Sequence, residues 1–483
     1  MPINLTAPLA WKRASNDELK MLQSLQGNIL KGHGRDSTAN IFFKLDPARI
    51  QESRRLLREL ANVHVTNAHR QLQDAERVAQ GDDGNNPFVH VALTFKGYQV
   101  IGHQNAAPTD ADFRAGMRDP ASIAALKDPA LAQWEAPFRT DLHGMVLAAR
   151  KTEAGAAALA AALVKLIENA GGSIVHIQHG KSLKNAADIG IEHFGYVDGR
   201  SQPLMLQEDI AKELGSAGGS RWDPAFPLST ALIKDPGTTD TLSFGSLFIF
   251  RKLEQDVRGF KTREQQVADV LGLTGKAREL AGALIVGRFE NGTPVTLSDE
   301  ARAQMPPNDF NYTGDAGSRC PFHAHIRKSN PRGSGGAEPE SAERLHLMAR
   351  RGIPFEDVKR AFHPDELSEA KSLAEFTAKV APKLPSGGVG LLFMAYNRSI
   401  AQQFKFTQQT WVNSNSFPAQ PAALHGIDPV IGQGAVTPGE QKMVKTWDDP
   451  ASPNPGNVDF AGFVHMKGGE YFFSPSLTFL KNL

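Results

Sequence analysis

The chain has 483 residues, of which 41% are hydrophobic and 22% charged, and its formal charge is +1. That is a globular composition long enough for two or three domains or one large two-lobed one, with no electrostatic footprint for nucleic acid or an anionic membrane. A single cysteine excludes an internal disulfide framework and any cysteine-rich zinc or iron–sulfur site.

The N-terminal "MPINLTAPLAWKRASNDELK" has no basic stretch leading into an apolar run, so it is not a secretory signal, and the cytoplasm is the expected compartment. "IFFKLD" (41–46) reads as a strand leading into a charged helical pattern, and "FVHVALTF" (88–95) as an apolar strand. "DLHGMVLAAR" (141–150) is the next strand. The Ala-rich "GAAALAAALVKLIENAGG" (155–172) follows it, with Leu159, Leu163, Leu166 and Ile167 at helical spacing and Gly171–Gly172 as a stop. Broken by Lys165 and Glu168, it is too short to span a bilayer. "SIVHIQHG" (173–180) closes the series as a strand. A β-helix-β-β-helix-β order is the ferredoxin-like arrangement.

The pattern recurs. "IFRKLE" (249–254) resembles "IFFKLD", and "GVGLLFMAYNRSIAQQF" (388–404) resembles "FVHVALTFKGYQVIG" (88–102), which predicts a second copy swollen by insertions. The Gly-, Pro- and Ser-rich stretch at 215–239 is the natural connection. The expected fold class is α+β: two ferredoxin-like lobes with antiparallel sheets and helices packed on them, divided as 1–235 and 236–483.

Three stretches could carry chemistry. In "CPFHAHIRKSNPR" (320–332), Pro321 suits a first helical turn and Pro331 ends one, predicting a short helix through both histidines. Residues two apart on a helix point about 200° from each other, so His323 and His325 could not chelate one metal together. One could bind; otherwise both are ordinary helix residues. Arg327, Lys328 and Arg332 form a cationic cluster suited to carboxylates or phosphates. In "HFGYVDGRSQP" (193–203), glycines flank Asp198 in a tight turn that can present a carboxylate to a cavity, the plainer reading being a bare Asp-Gly turn. In "LMARRGIPF" (347–355), one arginine of the pair could turn inward, the plainer reading being a helix C-terminus.

Taken in order, Gly195-Tyr196-Val197-Asp198-Gly199, "AHIRKSNPR" and "RRGIPF" resemble the dye-decolourising peroxidase family, as do "QGNILKGHGRDSTANIFFKL" (26–45) and "GGEYFFSPSLTFL" (468–480). The likeness spans nearly the whole chain and is greatest to the larger, "advanced" branch. It implies lobes of the dimeric α+β barrel type and one haem b per chain, held in the C-terminal lobe. It also implies a peroxidase that reduces hydrogen peroxide through an oxoferryl intermediate and oxidises dyes, phenolic and other aromatic donors one electron at a time. By the same resemblance His325 is the proximal iron ligand, Asp198 the distal acid and Arg350 the distal arginine, with Arg351 its solvated neighbour. Gly199, Arg200, Ser201, Asn330, Pro331 and Arg332 would line the haem or hold its propionates, and Leu391 and Phe393 would border the distal pocket.

These residue types suit that chemistry. A fixed guanidinium stabilises charge on a departing oxygen without losing its proton, and a carboxylate can relay a proton. A ligating imidazole usually donates its other N–H to a carboxylate; Asp428 and Asp459 are the late acidic candidates, and the sequence does not choose between them. Trp134, Trp222, Trp411 and Trp447 are either electron relays from the surface or plain packing. Two rival readings remain at this stage: a haem-binding or haem-iron-handling protein with incidental peroxidase turnover, and a non-haem metal hydrolase using both histidines.

Overall fold

The computed structural model describes residues 3–217, 219–303, 308–359 and 372–483. Its frame is set by long apolar strands, most of them buried on both faces. In the first half these are β1 (Ser37–Lys44), β2 (Phe88–Leu93), β3 (Gly144–Arg150) and β4 (Ser173–Lys181). Helix α1 (Ile50–Glu59) follows β1, and α2 (Glu153–Asn169) bridges β3 and β4. The Thr152 side chain accepts the Gly155 N–H at the start of α2, and Gly171, at φ +86°, turns the chain out of it.

The second half repeats the plan: β5 (Phe244–Gln255), then helix α3 (Val257–Leu271), capped by Asp256 on the Gly259 N–H. After a long insertion come the two-residue β6 (Ala349–Arg350), β7 (Ile353–Glu356) and β8 (Val389–Asn397), two turns of π-helix between Ala401 and Val412, and β9 (Val464–Ser474). The main strands run β7-β8-β5-β9-β2-β3-β1-β4 in one ten-stranded sheet, every paired neighbour antiparallel, with β6 beside β8. Each half therefore has its strands in the order second, third, first, fourth. That is the expected ferredoxin-like topology, twice.

The halves meet where β9 pairs with β2 at Phe473 and Leu93. The two ends of the sheet also approach. A β-carbon on Gly180 in β4 would come within 2.7 Å of Ile353 in β7, and the Gln178 amide donates to Asp357 at 3.0 Å. The core between them is aromatic and drawn from both halves: Phe42 packs on Phe250 at 4.8 Å, on Phe138 at 5.3 Å and on Phe472 at 6.3 Å. A second core lies around α3, where Phe194 stacks on Phe260 at 3.7 Å. Among the described residues no helix is long and apolar enough to cross a membrane.

One sequence expectation needs correction. "GVGLLFMAYN" is not the counterpart of "FVHVALTF": β8 is the third strand of its half and corresponds to β3, whereas β2 corresponds to the four-residue β7. Both β2 and β8 are apolar strands followed by a helix start, so letter similarity cannot separate them.

Candidate active site

The segment 320–332 lies under a cavity of about 240 Å³ that draws its lining from both halves of the chain. It is not one helix through both histidines. Asp315 accepts the N–H groups of Gly317, Arg319 and Cys320, which organises a loop through position 320. The Arg327 guanidinium takes the Cys320 carbonyl that a helix would have used. Helix α4 therefore begins only at His325 and ends at Ser329.

The two histidines still diverge. His323 is fully buried and, among the described residues, neither ring nitrogen has a hydrogen-bond partner; burial pushes its pKa down to about 3, so it is a neutral packing residue. His325 lines the cavity, and its Nδ1 donates to Asp428 Oδ2 at 2.9 Å. Asp428 is itself fixed, because its other oxygen accepts the N–H groups of Val430 at 2.8 Å and Ile431 at 2.9 Å. Burial opposes both charges, yet the pair outweighs it: the imidazole is raised above and the carboxylate held below its ordinary value. With Nδ1 engaged, Nε2 is the nitrogen left for the cavity. Asp459 instead accepts the Gly439 N–H, away from the site.

Asp198, Gly199, Arg200, Ser201, Asn330, Arg332, Arg350, Leu391 and Phe393 all line the same cavity. Pro331 is buried but does not line it; its carbonyl accepts from Ser334. Asp198 projects, exposed, from a loop between Gly195 at φ +99° and Gly199 at φ +76°. Arg350 is oriented by its short strand and donates to the Arg200 carbonyl at 3.0 Å; burial lowers its pKa and Asp198 acts the other way. Arg351 is not solvated. Its guanidinium holds the carbonyls of Asn28, Ile29 and Arg350, tying "QGNIL" to the site. The cationic cluster is likewise divided: Arg327 pairs with Asp315, Lys328 donates to the Trp411, Ser414 and Phe417 carbonyls, and Arg332 alone faces the cavity.

Beside Arg332 stands Arg288, which the sequence reading missed. The two share Ser201 Oγ and Asn308 Oδ1 as acceptors, and Arg332 also holds the carbonyls of Asn308 and Phe310. Each is 5% exposed, and no carboxylate lies within ion-pair distance of either among the described residues. Burial pulls their pKa values down to about 9 and about 10, so both remain cationic near neutrality. Two buried cations on neutral acceptors make a site that an anion would relieve. Nothing in "IVGRFENG" marks Arg288: besides the neighbouring Gly292 carbonyl, its acceptors Ser201 and Asn308 come from other loops.

Residues 24–182 match the model of the DyP dimeric alpha+beta barrel domain. Over all of both chains, the protein is 43% identical to the multifunctional dye peroxidase DyP2 of an Amycolatopsis species. This chain belongs to the dye-decolourising peroxidase family. Within it, Peroxidase 2 of Mycetinis scorodonius is 28% identical, covering 95% of this chain and 87% of its own. The solved structure of the Amycolatopsis peroxidase superposes with a TM-score of 0.91, covering 100% of each chain at 42% identity. That of an Anabaena DyP-type peroxidase gives 0.86 at 34% identity, covering 98% and 96%.

The four tryptophans separate by position relative to this family site. Trp134 is fully buried and donates to the Pro129 carbonyl, and Trp447 donates to the Val295 carbonyl. Trp222 is held between Arg332 at 4.5 Å and Arg344 at 5.2 Å. Trp411 meets His346, which lines the cavity, edge-on at 5.4 Å, and stacks on Phe417 at 5.4 Å.

Proposed function

We propose that this chain is a haem b peroxidase with one haem per chain, reducing hydrogen peroxide and oxidising dyes, phenols and other aromatic donors by one-electron steps. The observation that carries the reading is one imidazole, locked through Nδ1 by a buried carboxylate, facing a cavity rimmed by two buried guanidiniums that have no carboxylate partner among the described residues. That donor set fits a haem: one nitrogen for the iron and a cationic rim for the propionates. When bound, haem supplies the redox chemistry between peroxide and donor.

The chain's residues divide the remaining work. His325 Nε2 would hold the iron, its tautomer set by Asp428. Arg332, Arg288, Ser201 and Asn330 would hold the propionate edge, with Gly199 and Arg200 beside it. Leu391 and Phe393 would keep water from the distal side. Asp198 would move a proton from one peroxide oxygen to the other. Arg350, cationic throughout, would stabilise negative charge on the departing oxygen. Asp198 belongs to the 1–235 lobe, His325 and Arg350 to the 236–483 lobe, so the site would need both. Trp411, one ring from the cavity, is the tryptophan best placed to pass electrons from donors too bulky to enter. Two guanidiniums against Trp222 disfavour a radical cation there.

Haem reconstitution of the purified protein tests this. A Soret band is expected in the wild type and in His323→Ala, and none in His325→Ala; no band in the wild type would end the reading. Arg350→Leu should keep the band and lose roughly 100-fold in its rate of reaction with peroxide. Unchanged peroxide reactivity would instead point to a haem-handling protein.

A further inference from the structure

We propose that Glu192 is the positioning residue of the distal loop: its carboxylate knots residues 191–197 together and thereby sets where Asp198 stands. The inference rests on the proton-transfer role proposed for Asp198. Its starting point is how little holds that side chain directly. Among the described residues, the only hydrogen bond to the Asp198 carboxylate comes from the adjacent Gly199 N–H, at 2.6 Å. An exposed side chain with one local bond takes its place from its backbone, and glycines at positive φ on both sides leave that backbone free to swing.

The backbone is fixed around one residue. Glu192 Oε2 accepts the Phe194 N–H at 2.8 Å and Oε1 the Tyr196 N–H at 2.9 Å, while the Gln255 side chain in β5 donates to the same carboxylate. The Glu192 carbonyl accepts the Gly195 N–H at 2.9 Å, and its own N–H donates to the Tyr196 carbonyl at 3.1 Å. The neck closes behind this knot: Ile191 bridges to Val197, and the Asp198 N–H reaches the Gly190 carbonyl at 3.1 Å. Tyr196, donating to Glu264, ties the loop to α3 from outside.

Three donors converging on two oxygens favour the ionised carboxylate, against burial, which pushes its pKa up to about 7. A glutamine there could accept on one side only, and its amide would face a backbone N–H, donor against donor. Glu192 also lines the cavity, but its oxygens are occupied by the loop and by Gln255, and among the described residues no hydrogen bond links its carboxylate to Asp198. It acts through Asp198.

The test compares the haem-loaded wild type with Glu192→Gln, Asp198→Asn and the double variant. In Glu192→Gln the Soret band is expected to persist, because the His325 side is untouched. The amides of Phe194 and Tyr196 should exchange with deuterium about tenfold faster. The peroxide rate constant should fall about tenfold, as expected of a misplaced group. In the Asp198→Asn background the same change should cost less than about twofold, because coupled groups are non-additive. Unaltered exchange in Glu192→Gln would overturn the proposal, and so would an equal cost in both backgrounds. A normal peroxide rate in Asp198→Asn alone would instead sink the role given to Asp198, leaving exchange to judge whether Glu192 holds the loop. Should Glu192→Gln not retain haem, Glu192→Asp, one methylene too short to reach both N–H groups, is read by the same two measurements.

Discussion

The His325–Asp428 pair concentrates the argument at the scale of single residues. A carboxylate with two backbone N–H groups on one oxygen and an imidazole N–H on the other can neither rotate nor lose its charge easily, so the imidazole is fixed in tautomer and direction. Asp428→Asn is expected to keep the fold and lower haem affinity by about 10–100-fold, the usual effect of removing a ligand's carboxylate partner. Haem transfer to apomyoglobin measures it; an unchanged transfer rate would mean that Asp428 does not support the ligand. Much of this site was legible in sequence through the resemblance of its motifs to the family: His325, Asp198, Arg350 and Arg332 all line the cavity. What was not legible depends on partners far along the chain. Arg351 looks solvated beside a Gly-x-Pro break, but its acceptors are at positions 28 and 29. Arg288 carries no motif, and the choice of Asp428 over Asp459 is made by tertiary structure alone.

Among the elements, the third strand of each half shows why the first repeat was easier to read than the second. In the first half each of the four apolar runs that read as strands in the sequence is a strand of the sheet. In the second, about eighty residues, His325 among them, separate α3 from β7, and the second strand shrinks to four residues. The equivalence appears instead in packing. Gly144 opens β3 where a β-carbon would come within 2.4 Å of the Phe43 ring, and Gly390 opens β8 where one would come within 2.0 Å of the Leu253 carbonyl oxygen. Both stand near the start of a third strand, between first and second strands. The obstacle at Gly390 is backbone, so it cannot rotate away. Gly390→Ala should cost about 1–3 kcal/mol, seen as a lower melting temperature, and it should loosen Leu391 next to it. A melting temperature equal to wild type would show that β8 can shift to admit a methyl group.

For the molecule as a whole, the two halves are joined through a polar contact inside an apolar core, and that contact is sensitive to acid. His90 on β2 is fully buried; its Nδ1 donates to the Gly27 carbonyl at 3.1 Å and its Nε2 accepts from Ser474 at the end of β9 at 2.8 Å, with the Tyr396 hydroxyl of β8 at 3.3 Å. Burial pushes its pKa down to about 3 from an ordinary 6.5. In the unfolded chain the same imidazole takes up a proton below about pH 6.5, while in the folded protein it stays neutral until about pH 3. Stability is therefore unaffected by His90 above pH 6.5, and falls as pH drops from there toward 3. The slope is about 1.4 kcal/mol per pH unit for this one group. Replacing His90 by Gln, which keeps a donor and an acceptor but does not titrate, should remove that part of the slope even if it lowers stability at pH 7. Urea unfolding of both proteins at pH 7, 6, 5 and 4 reads it directly. Parallel losses of stability would mean that other groups carry the acid sensitivity and that the junction between the halves does not.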